Sequence, residues 1–274
     1  MRSQSDAEIA AQAASLAGEL LLQLRHSAAT DTATDSEALR TAGDRDANRA
    51  IMKLLANERP EDRLLSEEAA DDPRRLIAER VWIIDPLDGT REFGEQDSAG
   101  VWRDDFAVHV ALWERGNGLT LGVVGLPARG VIYSSDAPPE VPQSPAGPLR
   151  IAVSRTRPPG FIAALESAGN AKLLPMGSAG VKVMAVLSGE ADAYIHAGGQ
   201  YQWDSAAPVA VARAAGLVAT RLDGSPLKYN VPELLLPDLV VCHPDRADEV
   251  RLLLDAAGFG LDGASGAGAA ESAG

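Results

Sequence analysis

Cysteine, aromatic residues and positive charge are all scarce in this chain, and each shortage excludes something. Cys242 is the single cysteine in 274 residues, so an intramolecular disulfide and a cysteine-based zinc site are both excluded. Following Leu239-Val240-Val241, it reads as a small apolar residue. Aromatics make up 4% of the chain, too few for the stacking platforms that bind single-stranded nucleic acid. Lysine and arginine total 25 against 39 acids, a formal net charge of −14. Such a surface repels nucleic acid polymers and anionic membranes. No uncharged apolar run reaches membrane-spanning length. The opening Met-Arg-Ser-Gln-Ser-Asp is not followed by an apolar core and cleavage site, so the expected compartment is the cytoplasm. Walker A, His-Glu-x-x-His, Gly-x-Ser-x-Gly and dinucleotide fingerprints are all missing. The histidines at 26, 109, 196 and 243 lack ligand spacing and read as structural or surface residues.

What is present is an ordinary globular composition, 46% hydrophobic and 23% charged, long enough for one large domain or two small ones. Its most informative stretch is residues 82–93, Trp-Ile-Ile-Asp-Pro-Leu-Asp-Gly-Thr-Arg-Glu-Phe. Asp85 and Asp88 flank Pro86 where an apolar strand ends, and Gly89 and Thr90 follow at once. Hard divalent cations want clustered oxygens, and phosphate wants a glycine turn with free N–H groups. Pro86 drives Asp85 towards extended backbone, which lets both carboxylates and the Leu87 carbonyl converge. A phosphate ester would meet an opposing protein field, so the site must supply positive charge itself. Acidic ligands make a bound metal the answer.

Ser5 and Glu8 form a capping box ahead of Ile9, Ala13, Leu16, Leu20 and Leu24 at helical spacing. A second amphipathic stretch runs from about Asp44 through Ala47, Ile51, Leu54 and Leu55. Leu64-Leu65 and Val81–Ile84 read as strands delivering acids. From Phe106 the alternation of Phe106, Val108, Val110 and Leu112, with turns at 115–118 and 127–130, predicts an antiparallel meander. The proline-dense segment 136–148 reads as a linker. Strand and helix signals alternate beyond it, as in an α/β layer. The expected organisation is an α+β metal-binding domain over 1–135, a linker over 136–148 and an α/β substrate domain over 149–262. A low-complexity tail at 263–274 reads as disordered.

Three acidic segments have two readings each. Glu67-Glu68 is either a solvated acidic surface or, beside Asp85, a source of a bridging ligand. Asp204, in Trp203-Asp204-Ser205-Ala206-Ala207, is a helix N-cap whose second oxygen stays free for a metal or hydroxyl. Asp44, in Thr41-Ala42-Gly43-Asp44, is a cap or first-turn acid of the second helix unless the fold brings it to Thr90.

Taken together, these segments resemble the inositol monophosphatase superfamily of magnesium-dependent, lithium-sensitive phosphatases. The Asp-Pro-x-Asp-Gly-Thr string with a distant Trp-Asp-x-Ala-Ala carries the resemblance over most of the chain. Gly177–Lys182 and Val153-Ser154-Arg155 look closest to the CysQ-type branch, whose members act on 3′-phosphoadenosine 5′-phosphate. The resemblance implies a layered αβαβα sandwich of the inositol monophosphatase / fructose-1,6-bisphosphatase type, commonly a homodimer. It also implies two or three magnesium ions per site. Glu67, Asp85 and the Leu87 carbonyl would hold the first ion, and Asp85, Asp88 and Asp204 the second. Thr90 and Asp44, with Glu67, would serve catalysis. Substrate would meet Asp88, Gly89, Thr90, Ser154, Arg155, Gly177, Ser178, Lys182 and Asp204, with Arg155 and Lys182 as partners for a second phosphate. The expected reaction is release of the 3′-phosphate of 3′-phosphoadenosine 5′-phosphate. Inositol-1-phosphatase, a broad sugar phosphatase accepting fructose 1,6-bisphosphate, and an inert nucleotide-binding regulator are the alternatives.

Overall fold

The computed structural model describes residues 4–30, 35–167 and 171–259; the expected tail at 263–274 lies outside them. Helices α1 (Asp6–Thr30) and α2 (Ser36–Glu58) come first. Strands β1 (Arg63–Ser66) and β2 (Arg80–Asp88), short helix α3 (Thr90–Phe93) and strands β3 (Ala107–Glu114), β4 (Gly118–Leu126) and β5 (Val131–Ser134) complete the first half. The second half runs β6 (Leu149–Ser154), α4 (Gly160–Ser167), β7 (Ala171–Met176), α5 (Ala179–Leu187), β8 (Ala193–Tyr201) and α6 (Gln202–Ala214). It ends with β9 (Val218–Thr220), β10 (Leu235–Cys242) and α7 (Ala247–Ala256). Segment 136–148 carries no helix or strand and joins the two halves.

Each half builds one five-stranded sheet, ordered β1-β2-β3-β4-β5 and β7-β6-β8-β10-β9. In the first sheet β1 runs parallel to β2, and β2 to β5 form the antiparallel meander. Alternation along the strands explains the layering, because successive side chains point to opposite faces. Trp82, Ile84, Val108 and Val110 pack under α1 and α2. Val81, Ile83, Ala107 and Ala111 instead join a core with α5, α6 and the inner face of the second sheet. Ile151, Val153, Ile195 and Val240 face outward onto Ile162 of α4 and Val250 and Leu254 of α7. The result is five layers, αβαβα, with both sheets buried on both faces as such apolar strands require.

Two helix starts differ from the sequence reading. The second helix begins at Ser36, where the Asp35 side chain accepts from Ala38 N, so Asp44 lies inside the helix rather than at its start. The signal was obscured because polar residues dominate the first two turns. Helix α6 begins at Gln202, with Tyr201 as N-cap. Asp204 is therefore the third helical residue, and its Oδ2 accepts from Tyr201 N at 2.7 Å. The Ser5–Glu8 box is formed as read, with reciprocal bonds of 2.7 and 3.2 Å.

Candidate active site

Strand β2 carries two acids to one end of the first sheet. Asp85 pairs in register with His109 of β3, and the register then slips before Asp88 pairs with Ala107. Pro86, which offers no N–H to the ladder, sits in that slip. Asp85 is 1% exposed, and its Oδ1 accepts from Leu87 N at 3.1 Å. Gly89 turns the chain at φ +89°, and a Cβ there would lie 3.2 Å from Asp105 O. Only glycine meets both demands.

Thr90 then opens α3, with Oγ1 3.2 Å from Asp44 Oδ1 and 3.0 Å from the Leu87 carbonyl oxygen. Gly43, the residue before Asp44, permits the approach, because a Cβ there would lie 2.7 Å from Phe93 and 2.9 Å from Leu87. One turn further along α2, Asn48 Oδ1 accepts from Ser66 Oγ at 2.9 Å and Asn48 Nδ2 donates to the Glu68 carbonyl at 3.3 Å. This ties the end of β1, and with it Glu67, to the helix bearing Asp44. Glu67 and Asp85 are close enough for each to shift the other's titration.

The second half closes the site with the N-terminus of α5 and the first turn of α6. Ser178 Oγ accepts from Val181 N at 3.0 Å and donates to Asp88 Oδ2 at 2.6 Å, while Gly180 N donates to the same oxygen at 2.8 Å. Ser178 adopts φ +45°, a region that costs a residue with a Cβ about 1–3 kcal/mol. Lys182 Nζ donates to the carbonyls of Gly177 and Ser178 at 3.0 and 2.7 Å. Asp105 Oδ2 accepts from Gly177 N at 2.7 Å, which fixes the same turn from the other side.

The acids crowd one another. Burial raises Asp85 well above the usual carboxylate range, and Asp88, Glu67 and Asp204 raise it further. Burial and then Asp88 push Asp204 up to about 8. Glu67 shows surface to solvent, yet its carboxylate loses enough hydration to rise to about 7, with Asp88, Asp44 and Glu68 adding to the effect. Asp44 rises to about 6 through burial and Glu68, against the Thr90 hydrogen bond. Burial holds His109 below its usual value and therefore neutral, despite Asp88. Lys182 is lowered by burial to about 8.

Uncompensated negative charge of this density fits a hard divalent cation. Ligand atoms of Asp85, Asp88 and His109 lie within 4.8 Å of one another, and most donors around them are oxygens, as such cations prefer. A cavity of about 310 Å³ opens beside the acids.

Of the residues expected from sequence, Asp88, Gly89, Thr90, Ser154, Gly177, Ser178, Lys182 and Asp204 line this cavity. Asp44 joins them through Thr90, and Glu67 and Leu87 through Asp85. Arg155 does not line it. Its guanidinium pairs with Glu92 at 3.0 Å and with Asp105, both buried. The exposed Arg157, two residues on, lines the cavity instead.

His109 reads from sequence as a structural or surface residue, whereas in the structure its Nε2 lies 3.3 Å from Asp88 Oδ2. The alternation from Phe106 contained the signal, since His109 falls on the face opposite Phe106, Val108 and Val110. Asn48, Gln200 and His196 left no motif in the sequence; the last two also line the cavity.

Known proteins resemble this chain in sequence and in fold. A profile described as the inositol monophosphatase family matches residues 3–253. The chain is 51% identical over 251 residues to the 3′-phosphoadenosine 5′-phosphate phosphatase of Mycobacterium bovis, covering 88% of each. It is 33% identical over 210 residues to the 3′(2′),5′-bisphosphate nucleotidase CysQ of Escherichia coli K12, covering 72% of this chain and 81% of that one. The crystal structure of CysQ from Bacteroides thetaiotaomicron aligns with a TM-score of 0.72 at 32% identity, over 87% of this chain and 97% of that one. Staphylococcal IMPase-II, at 20% identity, shares the fold with a TM-score of 0.74 over 92% and 94% of the two chains.

Proposed function

This chain belongs to the inositol monophosphatase family, and we propose that it is a magnesium-dependent phosphatase that removes the 3′-phosphate of 3′-phosphoadenosine 5′-phosphate. The observation that carries the chemistry is that Asp88, Thr90 and Asp204 line one cavity, with Asp44 bonded to Thr90 and with Glu67 and Asp85 close enough to shift the titration of these acids and of each other. Substrate choice is supported by 51% identity to a phosphatase named for that nucleotide.

Glu67, Asp85 and the Leu87 carbonyl would hold one magnesium, and Asp85, Asp88 and Asp204 would hold a second. When bound, the ions act as Lewis acids that make water nucleophilic near neutral pH and neutralise phosphate charge. Thr90 Oγ1 takes a proton from the attacking water and passes its own to Asp44 Oδ1. An acid at about 6 suits a base working near neutrality. The N–H groups of Gly89 and Thr90 face the transferred phosphoryl group. Ser178 Oγ and Gly180 N hold Asp88 in place. A second phosphate is received by Lys182 and Arg157, a reading in which Arg157 replaces Arg155.

Residues 1–135 act as the metal-binding domain, while 149–262, beyond the 136–148 linker, supply Asp204 and most of the cavity wall. The enzyme is homodimeric, lithium-sensitive and cytoplasmic, and recycles a by-product of sulfate assimilation. No helix among the described residues is long and apolar enough to cross a membrane.

Phosphate release from 3′-phosphoadenosine 5′-phosphate, inositol 1-phosphate and fructose 1,6-bisphosphate with magnesium tests the proposal. The nucleotide is expected to have the highest kcat/KM. A higher value for inositol 1-phosphate would refute the nucleotidase reading.

A further inference from the structure

Gln200 lines the same cavity and is 6% exposed. Its Nε2 and Oε1 are both buried, and neither has a hydrogen-bond partner among the described residues. A native fold leaves few such groups, because each has lost water without replacement. Gln202, two positions along, shows that this junction can satisfy a carboxamide fully. Its Nε2 donates to the carbonyls of Val231 and Glu233 at 3.0 and 2.7 Å, and its Oε1 accepts from Asn230 N at 2.6 Å. Structural need therefore accounts for Gln202 and leaves Gln200 unexplained.

The wall of the cavity around Gln200 is partly aromatic. Tyr194 and His196 line the cavity with it, their rings 6.2 Å apart. His196 Nε2 lies 2.8 Å from the Gly199 carbonyl, which fixes the imidazole. Gly199, also in the lining, adds no side chain to the space. A carboxamide presents one donor and one acceptor side by side in a plane, the complement of an adenine edge, where an amine adjoins a ring nitrogen. The hydroxyls of a polyol or sugar phosphate offer no such planar pair.

We propose that Gln200 is the specificity residue for the base. Its Oε1 accepts from the exocyclic amine of adenine and its Nε2 donates to the neighbouring ring nitrogen, with His196 on the same wall of the cavity. The assignment rests on the nucleotide reading of the site and names the group that enforces it. It also accounts for the energetics: the unpaired carboxamide weakens binding of any substrate that leaves it unpaired.

The test compares kcat/KM for 3′-phosphoadenosine 5′-phosphate and for ribose 3,5-bisphosphate, which keeps both phosphates and lacks the base. Wild type and the Gln200→Leu and Gln200→Glu variants are measured with magnesium. The ratio of the two values is expected to fall roughly 10- to 100-fold in Gln200→Leu, mostly through KM, and to fall in Gln200→Glu, which loses the donor. An unchanged ratio in active variants overturns the role of Gln200 and leaves the nucleotidase reading standing. Failure of the wild type to cleave the nucleotide overturns both. Should the variants not fold, wild-type protein labelled with 15N-glutamine serves. The Gln200 side-chain amide signal is expected to shift with adenosine 5′-monophosphate and not with ribose 5-phosphate. Equal shifts, or none, contradict the proposal.

Discussion

Thr90 Oγ1 lies 3.2 Å from Asp44 Oδ1, joining a β-strand turn to the middle of a helix 46 positions earlier in the chain. The pair is expected to work as a proton relay. Asp44→Asn and Thr90→Ala should each lower kcat by about 10²- to 10⁴-fold, with magnesium affinity by calorimetry near that of wild type. Thr90→Ser, which keeps the hydroxyl, should recover most of the loss. A Thr90→Ala enzyme with wild-type kcat would remove the relay.

The crowded acids give the metal-free protein an unusual pH dependence. Asp204 at about 8 and Glu67 at about 7 bind protons more tightly in the folded chain than in the unfolded one. Their contribution to stability is fully present below the unfolded carboxylate range and is lost as pH rises through the folded values. In chelator, Tm should therefore rise between pH 8 and pH 7. Below about 6.5 the neutral His109 and His196, both depressed chiefly by burial, begin to act in the opposite sense. Magnesium should raise Tm more at pH 8 than at pH 6, since it competes with protons for the same oxygens. A metal-free Tm that falls from pH 8 to pH 7 is the adverse result.

Ser178 combines a strained backbone with a cap and a bond to Asp88, and two substitutions separate these. Ser178→Ala keeps the φ +45° strain and loses the cap, so a destabilisation of about 0.5–2 kcal/mol is expected in denaturant unfolding. Ser178→Gly loses the same hydroxyl and relieves the strain, and should be more stable than the alanine variant. Both should bind magnesium less tightly, because Asp88 loses its 2.6 Å donor. Equal stability of the two variants would argue against strain at this position.

Arg157, rather than the Arg155 implied by the resemblance, should meet the second phosphate. Arg155→Ala leaves Glu92 and Asp105 without their cation. With the guanidinium 26% exposed, a loss of about 2–3 kcal/mol is expected, less than for a fully buried pair. Arg157→Ala should leave stability within about 0.5 kcal/mol and raise KM for the bisphosphate relative to adenosine 3′-monophosphate. An unchanged KM ratio would exclude Arg157 from phosphate binding.

The antiparallel meander was legible in the chain, because the alternation from Phe106 to Leu112 marks strands. The five-layer stacking came instead from the resemblance, since the run Val81–Ile84 is apolar on both faces. The Asp-Pro-Leu-Asp-Gly-Thr turn was legible for a similar reason: proline, glycine and acids at fixed offsets dictate local geometry. The partners of Asp88 were not. Ser178, Gly180 and His109 reach it through sheet pairing and helix docking, which no local spacing reports. Arg155 and Arg157 illustrate the same limit, since burial of Glu92 and Asp105 beside the first decides which arginine the cavity receives. Gln200 is legible only in the folded state, where its unpaired amide sets it apart from Gln202.

The most direct test follows the atoms of the reaction. The protein is incubated with 3′-phosphoadenosine 5′-phosphate and magnesium in ¹⁸O-labelled water, and the products are read by ³¹P NMR. Adenosine 5′-monophosphate and inorganic phosphate carrying one ¹⁸O are the predicted products, and both should vanish in chelator and in Asp88→Asn. Adenosine 3′-monophosphate as the product, or release that persists without a divalent cation, would contradict the account.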